Sequence, residues 1–112
     1  MDRLRRGDLV VVALPGEYGK PRPALVLQSD LFLSTHPSIT LLPITSEIRD
    51  APLFRVTVEP SPTNGLRKVS QIMVDKPMTF RRDKIGASIG HLDEDLQVRV
   101  NRALVVWLGI AG

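Results

Sequence analysis

The chain has 112 residues, 43% of them hydrophobic and 24% charged, with a formal net charge of +3 and a sequence pI of about 9.8. That length supports one core rather than two, so residues 1–112 read as a single domain. The mild basic excess favours an anionic partner without demanding one. No cysteine is present, which excludes disulfides and thiolate metal sites. His36 and His91 lie far apart and form no zinc-ligand spacing, so no metal or cofactor is expected.

Arg3, Arg5 and Arg6 precede a short apolar run, but Gly7-Asp8 interrupts its front and Pro15-Gly16 closes it, too soon for a signal peptide. No stretch approaches the roughly 20 apolar residues of a membrane span, and a cytoplasmic protein is expected. Leu9 to Leu14 reads as a first strand with both faces buried. A loop from Pro15 to Arg22 carries Glu17, Tyr18, Lys20 and Arg22 to the mouth of a second strand, Pro23 to Gln28. Pro21 and Pro23 stiffen the backbone around Arg22, whose guanidinium fork matches a phosphate. A helical turn is expected at Leu31-Phe32-Leu33, and a third strand over Ser38 to Ile44, ending in Thr45-Ser46.

Leu53 to Val58 alternates as a half-exposed antiparallel strand should. Asn64-Gly65 suits a tight hairpin turn, with the next strand over Leu66 to Val74 and a break at Asp75-Lys76-Pro77. Arg81 to Lys84 reads as a charged turn, and Ile85 to Gly90 as a last short strand. From Leu92 onward apolar residues recur at three- and four-residue steps, one stripe of an amphipathic helix that includes Trp107 as a core residue. Asp93 is its expected N-cap. The class is α+β, mainly β: six or seven short strands in a strongly bent sheet or barrel, closed by one helix.

The series Arg6-Gly7-Asp8-Leu9-Val10, Arg22-Pro23-Ala24-Leu25-Val26-Leu27, Pro43-Ile44-Thr45-Ser46, Gly65-Leu66, Ser70-Gln71-Ile72 with Asp75, Lys84-Ile85-Gly86 and Ile89-Gly90 resembles the MazF/PemK family of toxins, in the family's order and over nearly the whole chain. The resemblance implies an SH3-like barrel of the CcdB/MazF type, usually a homodimer. It implies a metal-independent endoribonuclease of a type II toxin–antitoxin system, neutralised by a cognate antitoxin with an acidic C-terminal tail. The family's R-P arginine and T-S hydroxyl map onto Arg22 and Thr45 as the catalytic pair, and Glu17 stands five residues before the arginine, where some members use a glutamate.

In such chemistry the ribose 2′-OH attacks the phosphate of single-stranded RNA, leaving a 2′,3′-cyclic phosphate and a 5′-OH end. It requires a base, a cation or donor at the phosphoryl oxygens, and an acid at the leaving oxygen. Lys20, Tyr18, Ser46, Asp75, Lys76 and Arg81 are the candidate RNA contacts, with Arg67, Lys68 and Arg82 as further phosphate-binding cations. Asp75 matches an acidic position of some plasmid-borne members, although Met73 stands where those members carry an arginine. The competing expectation is a gyrase poison of the CcdB kind, non-enzymatic, which would act through the helix end Trp107-Leu108-Gly109-Ile110.

Overall fold

The structure, a computed structural model, describes residues 3–14 and 20–110. Among the described residues there are seven strands: β1 (Asp8–Ala13), β2 (Pro21–Val26), β3 (Ser38–Thr45), β4 (Arg55–Val58), β5 (Ser70–Met73), β6 (Met78–Arg81) and β7 (Ser88–His91). A single turn of helix, α1 (Asp30–Leu33), lies between β2 and β3, and α2 (Glu94–Leu108) follows β7. The strands run in the order β4-β5-β3-β2-β1-β7, with β6 also paired to β3, and every pairing is antiparallel. The expected bent, mainly β architecture closed by a C-terminal helix is what forms.

Strand β3 is the pivot. Along one edge it pairs with β2 through Leu41–Pro43. Along the other it pairs first with β6, from Ser38 to Leu41, and then with β5, at Ile44 and Thr45. Pro43 falls where that second edge changes partner, the position at which a missing N–H removes least from a ladder.

Alternation along the strands produces two apolar layers, one on each face of the sheet. Leu9, Leu25, Leu42, Ile44, Val56, Val58, Ile72 and Val74 pack with Leu92 and Val100 of the helical segment. Val10, Val12, Ala24, Val26, Ile39 and Leu41 pack on the other face with Leu33 of α1. Both faces of β1 are buried, as its unbroken apolar run requires.

Helix α2 begins at Asp93, whose carboxylate accepts the Leu96 N–H at 2.9 Å, and ends at Gly109 in the left-handed conformation, φ +68°. Arg6-Gly7-Asp8 fastens this helix to the sheet. Arg6 donates from Nε to the Leu27 carbonyl at 2.7 Å and from Nη2 to Asn101 Oδ1 at 2.9 Å. Asp8, buried, accepts from the Arg5 N–H at 2.9 Å and lies 2.7 Å from His91 Nδ1.

Four local expectations are corrected. Strand β2 starts at Pro21, because the extended backbone that Pro21 and Pro23 impose pairs directly with β1; Arg22 therefore belongs to the strand. Asn64-Gly65 is not a tight hairpin but part of the longer connection 59–69, and β5 begins only at Ser70. The buried Asn64 builds that connection: its Oδ1 accepts the N–H groups of Ser61 and Leu66, and its Nδ2 donates to the Glu59 carbonyl. Strand β6 was not expected, since its four residues bury little, with Met78 and Phe80 only half-buried. Trp107 is not core: it is 49% exposed, its ring 5.5 Å from that of the half-buried Phe54.

Candidate active site

Strand pairings position the two main candidates. Ala24 and Pro43 form the last pair of the β2–β3 ladder at this end; Arg22 lies two residues before Ala24 and Thr45 two residues after Pro43, where the two strands part. On the far sides, Arg22 pairs with Val12 of β1, and Thr45 pairs with Gln71 of β5. Arg22 and Thr45 thus stand just beyond the end of that ladder, each held by a strand on its outer side.

Both line a groove of about 910 Å³ that opens there. Pro21, Arg22 and Pro23 form its floor beside Ile44, Thr45, Ser46 and Glu47. The opposite wall is Gly65 to Lys68, with Ser70 and Met73 of the β5 segment and Ile89 of β7. Gly65 has φ +72°, and an added Cβ would collide with the Ile89 carbonyl, so a side chain there is excluded on two counts. This close approach holds the wall that carries Arg67 and Lys68 over β7, and the His91 N–H bonds the Thr63 carbonyl at 2.9 Å beside it.

Thr45 is half-buried, and its Oγ1 accepts the Glu47 N–H at 3.0 Å. The residue therefore caps the turn that follows β3, and the bond fixes the hydroxyl oxygen while its own proton stays available to donate. Arg22 is half-buried at the floor, its Nε enclosed by protein. The turn beyond Thr45 is strapped to β4 and β5. Gln71, 5% exposed, accepts on Oε1 from the Arg49 N–H and from Arg55 Nη1, each at 3.0 Å, and donates from Nε2 to the Arg49 carbonyl at 3.0 Å. Arg55 Nη1 also donates to the Glu47 carbonyl at 2.8 Å. Arg49 Nη2 reaches Glu47 Oε1 at 2.8 Å, and this charge-assisted bond holds the Glu47 carboxyl below the usual carboxylate range.

The remaining candidates separate. Ser46 lines the groove with Thr45. Lys20 is exposed just before β2 and is not among the lining residues. Glu17 and Tyr18 lie outside the described residues. Asp75 and Lys76 stand beyond Met73, in the turn that leaves β5; Met73 lines the groove and they do not. Asp75 keeps one buried oxygen, Oδ1, without a hydrogen-bond partner among the described residues, while Lys76 Nζ is 3.7 Å from Oδ2. Arg81 pairs with Ser38 at the opposite end of β3 from Thr45 and is bound to Asp83 at 2.7 Å; it too is outside the groove. Sequence reasoning missed Glu47, whose only signal was its place directly after Thr45-Ser46. Among the described residues no three potential ligands gather as a metal site would require.

A family model described as "PemK-like, MazF-like toxin of type II toxin-antitoxin system" matches residues 5–108. The chain belongs to this family. Among curated relatives of these toxins, the chain is 47% identical over 110 residues to a probable endoribonuclease MazF of Mycolicibacterium smegmatis, covering 97% of this chain and all of that one. It is 27% identical over 111 residues to the endoribonuclease EndoA of Bacillus subtilis, covering 96% of each. Its fold superposes with a TM-score of 0.83 on an endoribonuclease in complex with its cognate antitoxin from a mycobacterial species, at 20% identity over 97% of this chain and 98% of the other. No helix among the described residues is long and apolar enough to cross a membrane.

Proposed function

We propose that this toxin-family chain, acting as a single domain, is an endoribonuclease that cuts single-stranded RNA in the groove between β2, β3 and the 65–68 wall. The observation that carries the reading is the convergence of Arg22 and Thr45 on adjacent strands at the floor of an open groove that also holds Arg67 and Lys68. The identity to curated MazF and EndoA endoribonucleases supports it.

The ribose 2′-OH attacks the adjacent phosphorus, and the P–O5′ bond breaks as the leaving oxygen takes a proton from solvent water, giving a 2′,3′-cyclic phosphate and a 5′-OH end. Arg22 lays its fixed charge and planar donors against the nonbridging oxygens as their charge grows. The Thr45 hydroxyl, oriented by the Glu47 N–H, donates to one of them. Glu17 is assigned to the 2′-OH proton. Arg67 and Lys68 hold the flanking phosphates, and Ser46 contacts the strand beside Thr45. A homodimer, a cytoplasmic setting and inhibition by an antitoxin with an acidic tail complete the reading. Such a tail suits the groove because it carries the same sign of charge as RNA.

Primer extension on a long single-stranded RNA in EDTA, with wild type beside Arg22→Ala, tests the proposal. Discrete cuts with 5′-OH ends are expected from the wild type, and at least about 100-fold fewer from the variant. Wild-type rates from Arg22→Ala would remove Arg22 from the mechanism.

One observation favours a second reading, a gyrase poison: Trp107 and Ile110 stand exposed at the end of α2. Trp107→Ala with Ile110→Ala separates the two, sparing RNA cleavage under the first reading and abolishing toxicity under the second.

A further inference from the structure

Among the described residues lining the groove, Glu47 is the only one with a negative charge. It shares the groove with Arg22, Arg67 and Lys68, yet its bond is to Arg49, which is not a lining residue. A carboxylate there repels phosphate, so a role in gripping the RNA backbone is excluded by sign.

The turn that presents it is held at every backbone polar group of the two paired residues. The Glu47 N–H is bonded by Thr45 and its carbonyl by Arg55, while the Arg49 N–H and carbonyl are both bonded by Gln71. Exposed turns ordinarily leave such groups to water. Here a buried glutamine and a half-buried arginine are committed to them. The backbone that presents the carboxylate is thus fixed before any ligand arrives, and the Arg49 bond at 2.8 Å orients the exposed side chain, which lowers the entropic cost of using it for recognition.

What it can recognise follows from its chemistry. An ionised carboxylate only accepts hydrogen bonds, and the Arg49 bond lowers its basicity, which disfavours it as the group that removes a proton. Adenine, cytosine and guanine each present an exocyclic amine. Uracil instead presents one ring N–H between two carbonyl oxygens that a carboxylate repels. Glu47 is two residues from Thr45, within about 7 Å along the chain, so the base it meets belongs to a nucleotide next to the scissile phosphate. We propose that Glu47 is a specificity-determining residue that accepts a hydrogen bond from the exocyclic amine of this flanking base, selecting against uracil there. The proposal rests on the endoribonuclease reading above.

The test is cleavage of a random-sequence single-stranded RNA by the full chain, wild type beside Glu47→Gln, with the new 5′-OH ends sequenced. Glu47 is exposed, and its replacement leaves the core intact. At one position within two nucleotides of the cut, the wild type should disfavour uridine by at least about tenfold relative to cytidine. Glu47→Gln should reduce that to about twofold or less, because an amide can turn to accept from an amine or donate to a uracil oxygen. Preferences at the other positions should stay as they were, which a general loosening of the fold would not spare. Binding of cleavage-blocked 2′-deoxy oligonucleotides that differ only by cytosine or uracil at that position should show the same contrast without chemistry. A wild type that cuts RNA without excluding uridine at any of these positions, or a variant that keeps the exclusion, overturns the proposal alone. A wild type that neither cuts nor binds RNA overturns the endoribonuclease reading, and this one with it.

Discussion

The Thr45 oxygen accepts the Glu47 N–H, and in the proposed reaction its proton is kept for a substrate oxygen. Thr45→Ser preserves both and should cut RNA within about tenfold of wild type, whereas Thr45→Val removes both and should lose at least about 100-fold. Comparing the two by primer extension separates the hydroxyl from the methyl. Glu47 offers a second check at this scale. Its carboxyl in the folded chain titrates below the ordinary 4.5, first through its hydrogen bond to Arg49 and then through that residue's charge. A depressed carboxyl favours the folded state above its unfolded pKa and loses that contribution as pH falls through the folded value. Because the pair is exposed, the effect on overall stability is small. The clearer readout is an NMR titration of Glu47, which should move up toward 4.5 in Arg49→Ala.

At the level of elements, the connection 59–69 is the part whose conformation most constrains sequence. Gly65→Ala puts a side chain at φ +72° against the Ile89 carbonyl and should cost about 1–3 kcal/mol, read as a lowered urea midpoint with an unchanged m-value. Much of the element pattern was legible in the chain. β1 and β3 announced themselves by apolar runs, α2 by its period and by Asp93, and β4 by strict alternation. β6 was not legible, because four residues between Pro77 and a run of charges carry no periodic signal. The Asn64-Gly65 dipeptide marked a turn correctly but not its size. What set the size was the side chain of Asn64 folding inward to serve three backbone groups, which no local pattern reveals. For the candidate site, the motifs singled out Arg22 and Thr45, and the structure brings both to one groove. Glu47 was not singled out, since its importance lies in a strap built from Arg55 and Gln71, residues distant in sequence. Trp107 misled because a helical stripe does not say how far along its length the sheet extends; α2 outlasts its cover, and the last turn stands half in water.

For the whole molecule, a net charge of +3 is too small for binding driven by overall attraction, and what matters is where the cations gather. Arg22, Arg67 and Lys68 share the groove, while Arg81 is tied to Asp83 at the far end of β3. The three phosphate contacts of the proposed function, made to a single strand, predict that log Kobs falls with log salt at a slope of about −2, and that Lys68→Ala reduces the slope by about 0.7. Arg81→Ala should leave it unchanged. Fluorescence anisotropy of a cleavage-blocked oligonucleotide across a salt series measures both.

The mounting of Arg22 and Thr45 carries one more implication. Each is held by a strand pairing of its own, Arg22 to Val12 of β1 and Thr45 to Gln71 of β5, and not by a hinge or a loop that has to close. Such a mounting does not loosen by degrees; it keeps its place until the hydrogen-bonded ladders themselves part. Heating should therefore leave turnover per folded molecule steady up to the melting transition, and the decline of activity should superimpose on the loss of sheet signal in circular dichroism instead of preceding it.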